Sequence, residues 1–115
     1  MASLNILKKN SDYRRVYSHG KTVADRFIVL YFFPNNTEKS RFGFTVSKKV
    51  GNAVTRNRIR RLFRETCRLN CWLFPTGYDY VLLARREIVG SGYKEVEASL
   101  LKLLRRLKLG GGCSL

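Results

Sequence analysis

The residues best suited to a chemical role are the arginines of one stretch, GNAVTRNRIRRLFRE, at residues 51–65. Five arginines fall within the nine positions from Arg56 to Arg64, and Glu65 is the one acid close to them. Arginine presents a planar fork of N–H donors that suits bidentate binding of phosphate and stacking on bases. A merely solvated helix would mix Glu with Lys instead. The composition therefore favours contact with phosphate groups, and structured RNA over a membrane surface.

The same stretch has the spacing of an amphipathic helix that begins at about Ala53. The side predicted to pack in the core carries Ile59, Leu62, Phe63 and Thr66. The opposite side and its edges carry the residues called here the arginine face: Arg56, Asn57, Arg58, Arg60, Arg61, Arg64 and Arg68. Backbone amides at a helix N-terminus attract anions, so the residues that precede this helix are further candidates for phosphate contact: Lys48, Lys49, Gly51 and Asn52.

Three tyrosines form a second group of candidates, called here the tyrosine cluster: Tyr13, Tyr17 and Tyr31. Tyr13 and Tyr17 share one side of a predicted short helix, with Asn10 or Ser11 as its N-cap and Gly20 as a left-handed C-cap. Two interpretations remain open for the cluster. The rings belong either to an aromatic core or to a partly open groove on which unpaired bases stack. For Phe27, the core is the expectation.

The residues needed for catalysis by the protein itself do not form a recognisable pattern. The acids are scattered along the chain, and His19 has no carboxylate or nucleophile near it in sequence. The segment GNAVTRNR lacks the second glycine and the lysine of a nucleotide-binding loop. Three cysteines, Cys67, Cys71 and Cys113, do not form a recognisable zinc site, because His19 is the single histidine and no second cysteine pair is present, and they are expected to be reduced thiols. We therefore expect no catalytic residue and no metal ligand.

Length and charge indicate one folded basic domain over residues 1–115. The chain has a net charge of +15 with 44% hydrophobic residues, which is too apolar for a disordered polycation. No apolar run is long enough for a membrane span, and the N-terminus does not have the pattern of a secretion signal, so a cytoplasmic protein is expected. Residues 1–9 and 109–115 are expected to be flexible tails.

The elements that must position these side chains follow an α-β-β-β-α-β-α order. The runs on either side of Pro34, Asn35 and Asn36 predict a β-hairpin, and the first of them is apolar on both sides. A strand at Tyr80–Ala84 follows the arginine-rich helix, and this β-α-β unit allows parallel strands. The last helix has acids early, cations late and a core stripe of Val96, Leu100, Leu103, Leu104 and Leu107. The predicted class is α+β, a two-layer α/β sandwich.

The segment SKKVGNAVTRNRIRRLFRE closely resembles the signature of the bacterial ribonuclease P protein component, with its Arg-Asn-Arg motif at Arg56, Asn57 and Arg58. The resemblance extends through LKKNSDYRRVYSHGK, RFGFTVSKK and GYDYVLLAR, and so covers nearly the whole chain. It implies a ribosomal-protein-like fold with a left-handed β-α-β crossover, which is uncommon. In one segment, CWLFPTG, the chain is more apolar than the family pattern leads one to expect.

The resemblance also implies a function. In that family a catalytic RNA that binds Mg²⁺ removes the 5′ leader from precursor tRNA, and the small basic protein assists it. By resemblance, the arginine face with Lys48 and Lys49 contacts the catalytic RNA, and the tyrosine cluster lines a cleft for the leader. The protein alone is expected to be a monomer. Two alternatives remain: a structural RNA-binding protein, such as a ribosomal one, and a protein nuclease that acts without an RNA subunit.

Overall fold

The computed structural model of the chain describes residues 4–107. Across this range the helices are α1 (Asn10–His19), α2 (Ala53–Leu69) and α3 (Tyr93–Arg105), and the strands are β1 (Lys21–Ala24), β2 (Ile28–Pro34), β3 (Arg41–Thr45) and β4 (Tyr78–Ala84). Single turns of 3-10 helix at Cys71–Leu73 and Arg86–Ile88 lie on either side of β4. The predicted α+β class and the α-β-β-β-α-β-α order are confirmed.

The four strands form one sheet in the order β1-β2-β4-β3. β2 is antiparallel to both β1 and β4, whereas β3 and β4 are parallel. The predicted hairpin between the second and third strands is therefore wrong, because β4 lies between them. An apolar run on both sides, as in β2, suits an interior strand that is covered on both faces. The β-α-β unit, which allowed parallel strands, does pair β3 with β4 in parallel, and the handedness of its crossover stays a prediction.

The segment between β2 and β3 is shaped by Asn35 instead of by a tight turn. The Asn35 side-chain amide donates hydrogen bonds to the carbonyl oxygen of Lys39 (2.9 Å) and to Asp79 Oδ1 (3.0 Å). Its oxygen accepts one from the backbone N–H of Thr37 (2.9 Å). Asn35 therefore ties the loop to β4, the strand that separates β2 from β3.

Helices cover both faces of the sheet. On one face α2 packs against β3 and α3 packs against β2, which buries Ile59, Phe63 and Leu100 in one core cluster. On the other face Val16 of α1 packs with Val81 of β4 and is completely buried. The sandwich thus has a third layer, α1, that the two-layer prediction did not include, because α1 is short and buries only a narrow stripe. None of the helices within residues 4–107 is long and apolar enough to cross a bilayer.

The predicted N-cap of α1 is wrong, and the predicted C-cap, Gly20, is correct in position but not in conformation. The helix starts one residue earlier than expected, with Lys9 at the N-cap and no side-chain cap hydrogen bond. Gly20 ends the helix with φ −76°, which is not the left-handed conformation. A side chain at this position would collide with the carbonyl oxygens of Val16 and Phe32. Gly20 is therefore required by the close approach of α1 to β2, and not by its dihedral angles.

The described part of the N-terminal segment, residues 4–9, packs on the sheet, where a flexible tail was expected. Leu7 is buried beside Val16 and Val81, and its backbone N–H donates a hydrogen bond to the carbonyl oxygen of Phe42 (2.8 Å). Ile6 forms a parallel bridge with Phe42 at the edge of the sheet. The segment covers the outer edge of β3. Residues 1–3, the predicted tail at 109–115 and Cys113 lie outside the described residues.

Candidate nucleic-acid interface

Helix α2 begins at a side-chain cap. Asn52 Oδ1 accepts a hydrogen bond from the backbone N–H of Thr55 (2.9 Å), which satisfies one of the free amides of the first turn. Lys48 and Lys49 lie exposed in the turn before it, and Asn52 is exposed as well. The N-terminus of α2 is thus open to solvent with two lysines close by in sequence, as an anion-binding helix end requires.

The predicted core side of α2 is confirmed. Ile59, Phe63 and Thr66 are completely buried, and Leu62 is partly buried. Cys67 lies on the same side as a buried free thiol, and burial raises its pKa. This apolar side, packed on the sheet and on α3, fixes the opposite side of the helix toward solvent.

Several members of the arginine face donate hydrogen bonds to acceptors within the protein. Arg56 Nε donates to the carbonyl oxygen of Gly51 (3.1 Å), and Arg58 donates to that of Ser91 (2.7 Å). Arg60 donates to Asn57 Oδ1 (2.9 Å). Carbonyl and amide acceptors leave a guanidinium with its full charge, so these contacts orient the cations without neutralising them. Arg58 is directed toward the loop before α3, away from the rest of the face.

Arg68 is the member of the face that pairs with an acid. Its NH2 group lies 2.7 Å from Glu65 Oε2, one turn earlier. The pair is exposed, and the hydrogen bond from Arg68 lowers the pKa of Glu65. Exposed ion pairs contribute little to stability and exchange partners readily. The positive charge of Arg68 is therefore partly neutralised by Glu65 in the free protein.

Arg61 and Arg64 are exposed, and neither makes a hydrogen bond or an ion pair with any described residue. Together with Asn57 and Arg60 they form one wall of a cleft of about 480 Å³. The facing walls come from Ile6, Tyr13 of α1 and Phe44 of β3. The cleft thus combines free guanidinium groups with apolar and aromatic surface, the combination that binds single-stranded nucleic acid.

The three tyrosines predicted to act together are brought together by α1 and β2. The rings of Tyr17 and Tyr31 meet edge to face with centroids 4.8 Å apart. The Tyr17 hydroxyl is hydrogen-bonded to Thr45 Oγ1 (2.6 Å), and burial, partly offset by this bond, raises its pKa. All three rings are half-buried. Tyr13 lines the cleft, whereas Tyr17 and Tyr31 are not among its lining residues.

Gly43 of β3 makes room for Tyr13. A Cβ atom at this position would lie only 2.5 Å from Cε1 of the tyrosine ring. The ring therefore lies directly on the backbone of the strand. A glycine inside a strand often marks such a close approach, and this was the available signal. Phe44 and Ile6 were also missed as cleft residues, because Phe44 alternates with polar residues in the sequence, as a core position does, and residues 1–9 were expected to be flexible.

The described residues show no assembled metal site. Within residues 4–107, no three His, Cys, Asp or Glu side chains come close enough together to hold a metal ion. Two carboxylates do converge on Arg41: Asp79 Oδ2 lies 2.7 Å from its NH2 group and Asp12 Oδ2 lies 3.5 Å from its NH1 group. Asp79 is completely buried. Since the guanidinium lies between these carboxylates, the group functions as a structural ion-pair network.

A small α+β protein with an outward-facing cationic helix beside an aromatic cleft belongs to the class of small basic RNA-binding proteins. A family model described as Ribonuclease P matches residues 1–108. A relative from Pelotomaculum thermopropionicum, named ribonuclease P protein component, is 54% identical over 109 residues, which cover 95% of this chain and 97% of the relative. A relative of the same name from Alkaliphilus metalliredigens is 49% identical over 109 residues, 95% of this chain and 98% of the relative.

Solved structures give the same result. The RNase P protein from Thermotoga maritima superposes with a TM-score of 0.83 at 30% identity, over 90% of this chain and 98% of that one. The RNase P protein of Staphylococcus aureus superposes with a TM-score of 0.82 at 33% identity, over 90% and 95% of the two chains. The chain therefore belongs to the ribonuclease P protein family. It is the protein part of a ribonucleoprotein endoribonuclease of tRNA processing, and its partner is an RNA subunit.

Proposed function

We propose that the arginine face docks onto the catalytic RNA and that the 5′ leader of precursor tRNA lies in the cleft beside it and continues over the adjoining tyrosine cluster. The observation that carries this proposal is the cleft itself, because free guanidinium groups of α2 and the ring of Tyr13 form its opposite walls. RNA on the outer side of α2 and a strand in the cleft would be immediate neighbours. In this arrangement the protein lies between the catalytic RNA and the precursor tRNA.

The exposed cations supply most of the affinity for the catalytic RNA. Each phosphate that an arginine neutralises releases condensed counterions, which makes binding favourable and dependent on salt. Lys48 and Lys49 extend the basic surface past the N-terminus of α2. Structured RNA accepts such a surface through its phosphate backbone, without sequence readout. In this way the protein also lowers the repulsion between two RNA molecules.

The tyrosine cluster supplies the preference for precursor over product. Unpaired bases of the leader stack on exposed aromatic surface, and mature tRNA has no strand that fills the cleft. Mg²⁺ is bound mainly by the RNA subunit, which carries out the phosphodiester hydrolysis. The chain contributes binding and positioning, so it has no catalytic residue in this proposal. Copies of the chain repel each other because each has a net charge of +15, so the free protein is a monomer. Its location in this proposal is the cytoplasm.

Multiple-turnover cleavage of a precursor tRNA by the catalytic RNA, at physiological magnesium, tests the role in processing. Added protein is expected to raise kcat/KM and to tighten binding of the precursor. If the protein left both quantities unchanged, the chain would be an RNA-binding protein without a substrate role. Cleavage by the protein without the RNA subunit would indicate a protein nuclease.

Two variants test the leader cleft. Tyr13→Ala and Tyr31→Ala are each expected to weaken binding of a precursor with a leader at least about fivefold, the low end for loss of one base stack. Binding of mature tRNA should not change. Gly43→Ala should reproduce the effect of Tyr13→Ala, because a Cβ atom at this position displaces the ring. Tyr93→Ala, on α3, is the control. Equal losses for precursor and mature tRNA would contradict a leader site.

A further inference from the structure

The apolar segment at residues 71–74, directly after α2, carries Trp72, the single tryptophan of the chain. The Trp72 side chain is 76% exposed, and Leu69, three residues earlier, is 46% exposed. Single apolar side chains are common on protein surfaces, but tryptophan is on average highly buried. An indole this exposed, beside a second exposed apolar side chain, indicates a surface that a partner covers.

The neighbours of Trp72 in sequence are firmly anchored. Asn70 is buried, and its side-chain amide donates to the carbonyl oxygen of Thr66 (2.8 Å) and to Glu97 Oε2 on α3 (2.9 Å). Phe74 is buried edge-on against the rings of Phe42 and Tyr80, with centroids 4.9 Å and 5.0 Å apart. The indole therefore lies on a fixed turn. Such a preorganised aromatic surface loses little entropy when a partner binds it.

Trp72 continues the spacing of the arginine face. Arg61, Arg64 and Arg68 follow one another at intervals of three and four residues, and Trp72 comes four residues after Arg68. Helix α2 ends at Leu69, so Trp72 lies just past its C-terminus, in the single 3-10 turn Cys71–Leu73. Its exposure agrees with this placement at the C-terminal end of the face. A molecule that lies along α2 would reach it.

The charges around Trp72 favour a base over a phosphate. Arg68 is paired with Glu65, and Glu97 accepts hydrogen bonds from Asn70 and from the Tyr93 hydroxyl (2.9 Å). Two carboxylates at this end of α2 disfavour a phosphate oxygen, whereas the uncharged face of an indole suits the π-face of a nucleobase. A second copy of the chain is disfavoured by the net charge of +15.

We infer that Trp72 stacks on an unpaired nucleobase of the RNA subunit, at the C-terminal end of the arginine face. The inference rests on the proposed docking of that RNA on α2. It gives the interface two chemically different parts: guanidinium groups that bind phosphates along α2, and one aromatic platform that binds a base at its end. The apolar residues at 71–74 then have distinct roles, because Phe74 anchors the turn and Trp72 makes the contact.

The single tryptophan allows a direct test on the full-length protein. Its fluorescence is measured while the transcribed catalytic RNA subunit is added, and filter binding of labelled RNA gives the affinity independently. Stacking should quench the fluorescence and protect the indole from acrylamide over the same concentration range as binding. Trp72→Ala should weaken binding by about 5- to 150-fold, the range for loss of one stacked base, and Trp72→Phe should restore much of the loss. Val89→Ala, which truncates another exposed apolar side chain, is the matched control and should bind normally.

Three outcomes would overturn the inference. Normal RNA binding by Trp72→Ala, together with fluorescence of the parent protein that RNA leaves unchanged, would remove the stacking contact and leave docking on α2 intact, provided that Arg61→Ala with Arg64→Ala still weakens binding. A change in fluorescence that appears only when precursor tRNA is added would assign Trp72 to the substrate. Protection that depends on protein concentration without RNA would show that a second copy covers it. Failure of the double arginine variant to weaken binding would instead contradict the proposed docking itself.

Discussion

Arg41 shows how a basic residue that serves the fold differs from one left for a partner. It makes two short contacts with Asp79, from Nε to Oδ1 (2.8 Å) and from NH2 to Oδ2 (2.7 Å). The hydrogen bonds to Asp79 raise the pKa of Arg41 despite its partial burial. Asp79 is completely buried, so its charge needs this bidentate partner. Arg61 and Arg64 have nothing comparable among the described residues.

Replacing Arg41 by alanine is expected to destabilise the protein because it leaves the Asp79 carboxylate buried with Asn35 as its remaining side-chain partner among residues 4–107. Loss of one member of a buried pair costs about 3 to 5 kcal/mol, and exposure of Arg41 to solvent reduces this to about 2 kcal/mol. Urea unfolding measures the change. Arg15→Ala, which removes a more exposed contact with Asp12, should cost less than about 1 kcal/mol. Equal losses would contradict the structural role of Arg41.

Residue types in the sequence predicted which side chains bind phosphate, but not what each one contacts in the free protein. The helical period correctly separated Ile59 and Phe63 from the arginines. It could not show that Arg58 reaches Ser91, because that contact depends on how the loop before α3 packs. The position of Tyr13 on Gly43 likewise depends on the distance between α1 and the sheet, which no local pattern encodes.

The buried side and the N-cap of α2 stabilise the helix against repulsion between its own arginines. Arg64 lies three or four residues from Arg60, Arg61 and Arg68, and each such pair of like charges destabilises a helix by about 0.2 to 0.5 kcal/mol. The sequence carries this repulsion without a matching number of acids on the helix. In the proposed complex, phosphates that lie against the face relieve this repulsion.

Arg64→Ala is therefore expected to stabilise the free protein slightly while it weakens RNA binding. The thermal midpoint of the free variant should rise most at low salt, since added salt screens the same repulsion in the parent protein. Thermal unfolding at several salt concentrations checks this. Arg86→Ala, which removes an exposed cation outside α2, should leave the midpoint and its salt dependence unchanged. A lower midpoint for Arg64→Ala would indicate that the side chain supports the fold.

Elements with a strong hydrophobic period could be predicted from the sequence. The order of the strands in the sheet could not. The spacing of Val96, Leu100 and Leu103 predicted the buried stripe of α3, and all three are completely buried. The order of the strands depends on the return of β4 to the centre of the sheet, a contact far away in sequence. A turn-like segment at residues 34–36 is compatible with either arrangement, so the hairpin prediction failed.

At the scale of the whole molecule, Asp25 connects the β1–β2 turn to α3. Its Oδ1 accepts hydrogen bonds from the backbone N–H groups of Phe27 and Ile28, both 2.9 Å, and its Oδ2 accepts one from the Ser99 hydroxyl. Burial disfavours the charged carboxylate, but the hydrogen bonds outweigh it and lower the pKa of Asp25. The charged form therefore stabilises the folded state.

This connection predicts a loss of stability in acid. Because the folded pKa of Asp25 lies below its unfolded value of about 3.9, its contribution is complete above that pH and is lost as the pH falls through the folded pKa. Asp25→Asn should lower the thermal midpoint at neutral pH and flatten its fall between neutral pH and about pH 3. Glu38→Gln, an exposed carboxylate, is the control. An acid dependence unchanged in Asp25→Asn would contradict this assignment.

The family and the α+β class could be recognised from the sequence because the arginine-rich segment is both specific and long. The docking of α1 on the second face and the order at residues 4–9 could not, because both depend on the fit of small apolar surfaces such as Leu7 against Val81. The cleft arises from that same fit. The proposed function thus depends on a charged helix that the sequence displays and on a cavity that only the assembled fold creates.

The salt dependence of binding to the catalytic RNA tests the central claim most directly. The slope of log affinity against log salt should become shallower by about 0.7 to 0.9 for each phosphate that the variant Arg61→Ala with Arg64→Ala no longer neutralises. The control, Arg86→Ala with Arg105→Ala, removes the same charge from outside α2 and should keep the parent slope. The account predicts a shallower slope for the first variant alone; equal slopes in the parent protein and both double variants would contradict it.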